Sequence, residues 1–122
     1  MEKETIEEIR NNMLIEVSSW GGLGRTPGTI STIITNDKKI YYYRKYFLLK
    51  SRENKEELLG GSKISDESFN TIKTYIDEHY INKIFEPIRI FDASYTVRGP
   101  GFCVTNHLDE YNRIKELINK VK

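Results

Sequence analysis

The sequence of 122 residues has little of what most enzyme and metal sites need, since it contains one cysteine, Cys103, and two histidines. A single cysteine excludes an internal disulfide framework and a zinc site built from several cysteines. Scarce cysteine and an acidic N-terminus without a secretion signal favour a reducing, cytoplasmic location. No segment approaches the roughly 18 consecutive apolar residues of a membrane-spanning helix, so we expect no membrane association.

The sequence also lacks an excess of charge of either sign. It has 19 lysines and arginines against 18 aspartates and glutamates, which gives a net charge of +1. Such a chain has no strong field to attract phosphate backbones, which argues against a dedicated nucleic-acid-binding protein. Its 38% hydrophobic and 30% charged residues are typical of a globular protein. We therefore predict one domain that covers residues 1–122.

The spacing of apolar residues predicts an α+β fold, with an antiparallel sheet of about five strands and two main helices packed on one face. The apolar stripe of Ile6, Ile9 and Met13 is compatible with a short N-terminal helix or with a frayed tail. The elements expected after it are, in chain order, a strand at 14–20, a hairpin that turns at Asn36 and Asp37, a helix at 66–80, a strand that ends at Val97, a short strand from Phe102, and a last helix.

Two further local expectations concern the middle and the end of the chain. Residues 50–61 are mostly charged and end in two glycines, which is typical of a mobile loop. Asn106 is expected to cap the last helix. The apolar stripe of that helix comprises Leu108, Tyr111, Ile114, Leu117, Ile118 and Val121.

A glycine-rich segment, GGLGRTPG, begins at Gly21 and Gly22, directly after Trp20. Glycines after a strand are typical of phosphate-binding loops, but neither G-x-G-x-x-G nor G-K-[ST] is present here. A β-branched strand follows, where a phosphate-binding helix would begin. We therefore favour a structural or protein-contacting loop. The alternative is a small-molecule or anion sensor, or a minor enzyme, that uses Arg25, Thr26 and Arg98 near the glycine-rich turns.

Aromatic and basic residues are concentrated in the predicted strand YYYRKYF. Alternation places Tyr42, Arg44 and Tyr46 on one face, and Tyr41, Tyr43 and Phe47 on the other. If only one face points to the core, the other presents aromatic rings beside cations. Such a surface can contact a protein, lie beneath a loop or stack single-stranded nucleic acid, and the near-neutral charge ranks the last option lowest.

The candidate nucleophile Cys103 has no suitable partner in the sequence. An extended segment would hold Cys103 and His107 about 13 Å apart, beyond hydrogen-bond reach. His79 and His107 lie on different predicted elements, and neither belongs to an H-x-x-x-H or H-E-x-x-H pattern. We predict no catalytic residue, no metal site and no cofactor.

The opening LIEVSSWGGLG resembles the start of the emfourin-type proteins, small bacterial inhibitors of thermolysin-like metalloproteases. The resemblance covers about a tenth of the chain and matches Gly21 and Gly22, where an early strand runs into paired glycines. It implies protease inhibition through loops, and it assigns no inhibitory residue.

Together these features predict a non-enzymatic protein-binding, inhibitor or regulatory module. Its partner is an unidentified protein or a second copy of the chain. The predicted contact residues are Trp20, Gly21, Gly22, Arg25, Thr26, Tyr42, Arg44, Tyr46 and Arg98.

Overall fold

The computed structural model describes residues 6–21, 28–48, 52–89 and 93–121. These residues form α1 (Ile6–Asn11), β1 (Met13–Gly21), β2 (Gly28–Thr35), β3 (Lys39–Leu48), β4 (Glu53–Lys63), α2 (Asp66–His79), β5 (Ala93–Gly99), β6 (Phe102–Thr105) and α3 (Leu108–Val121). The predicted α+β class is confirmed, with six strands in the described ranges where about five were expected.

The strands form one sheet in the order β4-β3-β2-β1-β5-β6, and all neighbours are antiparallel. The first four strands follow one another as a meander. The chain then passes through α2 from the β4 edge to β5, which lies beside β1. The sheet therefore ends in β4 on one side and β6 on the other.

The main core lies between one face of the sheet and the two long helices. Ile15 of β1 and Ile34 of β2 pack there against Ile72 of α2 and Ile114 of α3, and all four are fully buried. Burial of each such side chain contributes roughly 1.5–3 kcal/mol. Helix α2 begins where expected, because the Ser65 side chain accepts a hydrogen bond from the backbone N–H of the third residue after it, at 3.1 Å.

A second, smaller cluster covers part of the opposite face. Ile9 of α1 packs with Ile33 and Tyr43, and all three are buried. Ile6 and Met13, the other apolar residues of the predicted N-terminal stripe, pack against the same cluster. The sheet is therefore covered by α2 and α3 on one face and partly by α1 on the other.

The prediction of a mobile loop at residues 50–61 is wrong where the structure describes it, because Glu53–Lys63 form β4. This edge strand pairs along its length with β3, from Glu53 opposite Leu48 to Lys63 opposite Lys39. Backbone hydrogen bonds rather than buried side chains hold it in place, so it has no alternation of apolar and polar residues.

The expected role of Asn106 also differs. Its side chain does not cap α3. Instead, Oδ1 accepts from the Tyr95 N–H at 2.7 Å, and Nδ2 donates to the Ile88 carbonyl at 2.6 Å. The first intrahelical bond of α3 is accepted by the carbonyl of His107. Leu108 was expected in the apolar stripe, but it is 44% exposed at the start of the helix.

Candidate functional site

The structure places Trp20 beside a groove on the sheet face opposite α2 and α3. Strand alternation sets this orientation, because Val17 of the same strand points into the main core. The groove encloses about 610 Å³. We call it the Trp20 groove, and the described residues that line it are Trp20, Pro87, Ile88, Arg89, Ala93, Ser94, Thr105 and Asn106.

The groove is held together by hydrogen bonds that join three separate parts of the chain. The Ile88 N–H donates to the Thr105 carbonyl at 3.2 Å, which lays the segment after α2 along the outer edge of β6. Asn106 then ties this segment to β5 through its bonds to Tyr95 and Ile88. These contacts fix one wall of the groove, although residues 83–89 form no regular element.

The lining combines exposed apolar groups with hydrogen-bonding side chains. Trp20 is 39% exposed and Ile88 is 46% exposed. Ser94 and Thr105 supply hydroxyl groups, and Arg89 supplies a positive charge. An apolar floor with a few polar groups and one cation is typical of a site that holds an apolar group of a ligand or partner and orients it through its edges.

A charged cluster lies on the same face of the sheet, nearer its centre. Glu16 of β1 is only 1% exposed. Its Oε1 accepts a hydrogen bond from Nε of Arg98 at 2.6 Å and forms an ion pair with Nη2 of the same residue at 2.5 Å. Its Oε2 accepts from the Tyr43 hydroxyl and lies 3.7 Å from Nε of Arg10. We call these four residues the Glu16 cluster.

The Glu16 cluster has the hydrogen bonds and opposite charges that a buried carboxylate requires. Arg10 donates from Nε to the Tyr43 hydroxyl at 3.1 Å, and its guanidinium carbon lies 5.0 Å from the centre of that ring. Burial raises the pKa of Tyr43, and its hydrogen bond to Glu16 raises it further. Burial lowers the pKa of Arg10, but the bond to Tyr43 and the charges of Glu16 and Glu56 raise it on balance. The cluster therefore locks α1 onto the sheet.

The predicted tyrosine surface lies on the opposite face from Trp20. Tyr42 packs against the main core. Beyond it, the exposed guanidinium of Arg44 lies 4.7 Å from the Tyr46 ring and donates to Glu57 at 2.6 Å. The structure therefore does not bring Tyr42, Arg44 and Tyr46 together with Trp20 on one surface.

The remaining predicted residues are divided between the described and undescribed parts of the chain. Gly21 lies at the end of β1, opposite Gly28 and Ala93. Arg98 belongs to the Glu16 cluster, so its guanidinium is engaged by a carboxylate. Gly22, Arg25 and Thr26 lie outside the described residues.

Cys103 and His107, the candidate catalytic pair, each contact a different partner. Cys103 is exposed on β6, with Sγ 3.8 Å from Oγ1 of Thr105. The His107 Nε2 lies 2.6 Å from the backbone carbonyl of Glu86. Among the described residues, no group of three or more histidine, cysteine, aspartate or glutamate side chains is placed to hold a metal ion. None of the helices in the described ranges has the length and apolar character to cross a membrane.

Sequence reasoning missed Glu16, Arg10 and Tyr43 as one cluster, and Ile88 and Asn106 as parts of the groove. Glu16 alternates with apolar neighbours in β1, which is normally the pattern of a solvated face. The apolar stripe of α1 is the one signal that points to the cluster, because an amphipathic helix must pack its apolar side against another surface. No comparable signal marked Ile88, since its position depends on tertiary contacts.

Comparison with known proteins adds no further assignment, because no family model, curated protein or solved structure matches this chain.

Proposed function

We propose that the protein is a non-enzymatic binding module that takes an apolar side chain of a partner protein into the Trp20 groove. The proposal rests on one observation: Trp20 is 39% exposed and lines a groove of about 610 Å³. Tryptophan is among the residues that most often dominate the binding energy of protein interfaces.

The lining indicates the chemistry of the partner segment. Trp20, Pro87 and Ile88 offer an apolar surface, which suits a leucine, isoleucine or aromatic side chain. Arg89 is the charged residue among the described lining residues, so an acidic group next to the apolar side chain complements it. We therefore assign the groove to a short, extended segment with an apolar anchor and a neighbouring carboxylate.

Protease inhibition, which the resemblance to emfourin-type proteins implies, is one form of this function. A partner loop or terminus held at the groove would then belong to the protease. We place this activity in the cytoplasm, on the strength of the cysteine content and the acidic N-terminus.

The proposal is tested by selecting peptides from a phage-displayed random library on the purified full chain. We expect enrichment of peptides with one large apolar residue beside aspartate or glutamate. In titration calorimetry, Trp20→Ala and Ile88→Ala should each lower the affinity for the selected peptides by at least about tenfold. Arg89→Glu should weaken acidic peptides more than their amide counterparts.

A matched control comes from the same irregular segment. Ile84 is 95% exposed and does not line the groove, so Ile84→Ala should leave the affinity unchanged. The proposal is contradicted if no peptide is enriched, or if the enriched peptides bind Trp20→Ala as tightly as the wild type.

A further inference from the structure

The opposite end of the sheet carries a long strand with a free edge. β4 has 11 residues and pairs with β3 alone among the described strands. The other edge strand, β6, has 4 residues and receives the Ile88 N–H from the segment beside it. Proteins usually shorten or cover such edges, because unpaired N–H and C=O groups can bind another strand.

The middle of β4 is apolar and open. Leu58 is 41% exposed and Leu59 is 52% exposed. With Tyr41, Gly60 and Gly61, these leucines border a groove of about 410 Å³. Exposed apolar residues at the centre of a free strand edge are typical of an interface rather than of a solvated surface.

A bulge in β4 restricts which strand can pair with this edge. Tyr43 lies opposite Leu58 and Tyr42 lies opposite Gly60, which leaves Leu59 as the extra residue. Along a strand, the backbone N–H and C=O groups of successive residues point alternately toward β3 and toward the free edge. The extra residue shifts this alternation by one position, so residues before and after the bulge do not continue one regular pattern along the free edge.

A second copy of β4 carries the same shift and can therefore pair with this edge. If two copies run antiparallel about a two-fold axis between Leu58 and Leu59, the part of one strand before its bulge lies opposite the part of the other strand after its bulge. The two bulges then lie opposite each other, and the outward backbone groups of both strands face one another on either side of the axis. Glu57 falls opposite Gly60 of the second copy, and Glu56 falls opposite Gly61.

The charges favour the same register. Residues 53–57 contain three glutamates and one lysine, while residues 58–63 contain one lysine and no acidic residue. Antiparallel pairing sets the acidic half of each strand against the half that ends in Lys63. Lys63 becomes the diagonal neighbour of Glu56 on the same face, and the glycines leave room for the contact.

We infer that two copies of this chain associate through antiparallel pairing of their β4 strands, with Leu58 and Leu59 at the two-fold axis. The pairing joins two sheets, each with six strands in the described ranges, into one continuous sheet and buries the apolar middle of each edge. It is isologous, so it closes at the dimer and leaves no free β4 edge. The Trp20 groove lies beyond β3 and β2, on the far side of the sheet, and stays accessible.

Sedimentation equilibrium of the full chain over a range of concentrations tests the inference. We expect a reversible dimer with twice the monomer mass. Leu59→Lys should weaken the dimer by about a hundredfold, because it buries two like charges at the axis. The control is Ile30→Lys, at a residue that is 60% exposed on β2, and it should leave the dimer intact.

A charge exchange tests the register itself. Lys63→Glu should weaken the dimer by about tenfold, because both symmetric contacts become repulsive. The double variant E56K/K63E restores opposite charges and should recover most of the loss. Thermal melts followed by circular dichroism confirm that each variant is folded.

Two results would overturn the inference. One is a chain that stays monomeric at millimolar concentration, and the other is a dimer that Leu59→Lys and Lys63→Glu leave unchanged. Measuring peptide affinity in Leu59→Lys separates this inference from the proposed function. The monomeric variant should bind the selected peptides in the Trp20 groove as tightly as the wild type.

Discussion

Arg98 of β5 donates a hydrogen bond from Nε to one oxygen of Glu16 on β1 and holds Nη2 2.5 Å from the same oxygen, although the two residues are 82 positions apart in the chain. The contact lies on a face where the strand pattern predicts solvent. Arg10 of helix α1 and Tyr43 also contact the carboxylate, whose side chain is only 2% exposed. The Arg98 hydrogen bond is therefore made to a desolvated acceptor, which makes it stronger than at the surface.

We predict that Arg98→Met destabilises the protein by about 2 kcal/mol, because it leaves the buried Glu16 carboxylate with fewer partners. The control is Arg44→Met, because Arg44 pairs with Glu57 at 2.6 Å on the surface, where both side chains are about half exposed. That variant should change the stability little. Urea unfolding followed by circular dichroism measures both, and equal losses would show that Glu16 does not depend on Arg98.

Alkaline pH should destabilise the fold through its buried tyrosines. Burial is the largest cause of the raised pKa values of Tyr43, Tyr75 and Tyr80. Below about pH 10, the usual pKa of tyrosine, these groups are neutral in both states and their contribution is fully present. As the pH rises further, the unfolded chain loses protons first, and stability falls through the folded-state pKa values.

The measurement combines tyrosinate absorbance with the melting temperature at each pH. We expect part of the eight tyrosines to ionise only as the chain unfolds. Tyr43→Phe should be less stable at neutral pH, because Glu16 loses a donor, yet its stability should fall less steeply above about pH 10. Titration of all tyrosines near pH 10 without unfolding would contradict the packing described.

Asn106 should be sensitive to both its side chain and its backbone. Its φ angle is 61°, which favours asparagine or glycine. Asn106→Ala should cost about 3 kcal/mol, and Asn106→Gly about 1 kcal/mol less, since glycine avoids the backbone strain but still loses two hydrogen bonds. Asn82 has a φ of 63° at an exposed position, so Asn82→Gly should be nearly neutral. Equal effects at both asparagines in thermal melts would count against the Asn106 contacts.

Two glycines in strands should respond oppositely to alanine. A Cβ atom at Gly99 would lie 2.6 Å from the Leu14 carbonyl oxygen and 2.7 Å from the Phe102 ring, whereas one at Gly60 meets nothing within 4 Å. Gly99→Ala should therefore destabilise by about 1–3 kcal/mol. Gly60→Ala should be neutral or slightly stabilising, because it restricts the unfolded chain. Melting temperatures of the two variants, compared at low protein concentration, check the difference.

Periodicity in the sequence was sufficient for elements with a buried side. Helix α2 and the hairpin at Asn36 and Asp37 lie where their patterns predict, because their apolar residues face the core. β4 could not be found in this way. Its described side chains are exposed on both faces, so its sequence lacks the alternation of apolar and polar residues that marks a half-buried strand.

The candidate site was predictable only in part. The position of Trp20 before the paired glycines marks it as a candidate contact residue, and it does line a groove. The rest of that groove comes from the segment that ends at Arg89 and from Asn106, which are brought there by long-range hydrogen bonds. Strand alternation assigns Tyr43 to one face of β3, but its burial depends on α1, and only the folded chain shows which strands that helix covers.

An amide chemical-shift titration of the full, isotopically labelled chain with a peptide selected from the phage library locates the binding site directly. We expect the largest shifts at the Trp20 indole N–H and at the amides of Ile88, Ser94 and Thr105. At equal peptide concentration these shifts should be much smaller in Ile88→Ala and unchanged in Ile84→Ala. Shifts centred on Arg44 and Tyr46, on the opposite face of the sheet, would contradict binding in the Trp20 groove.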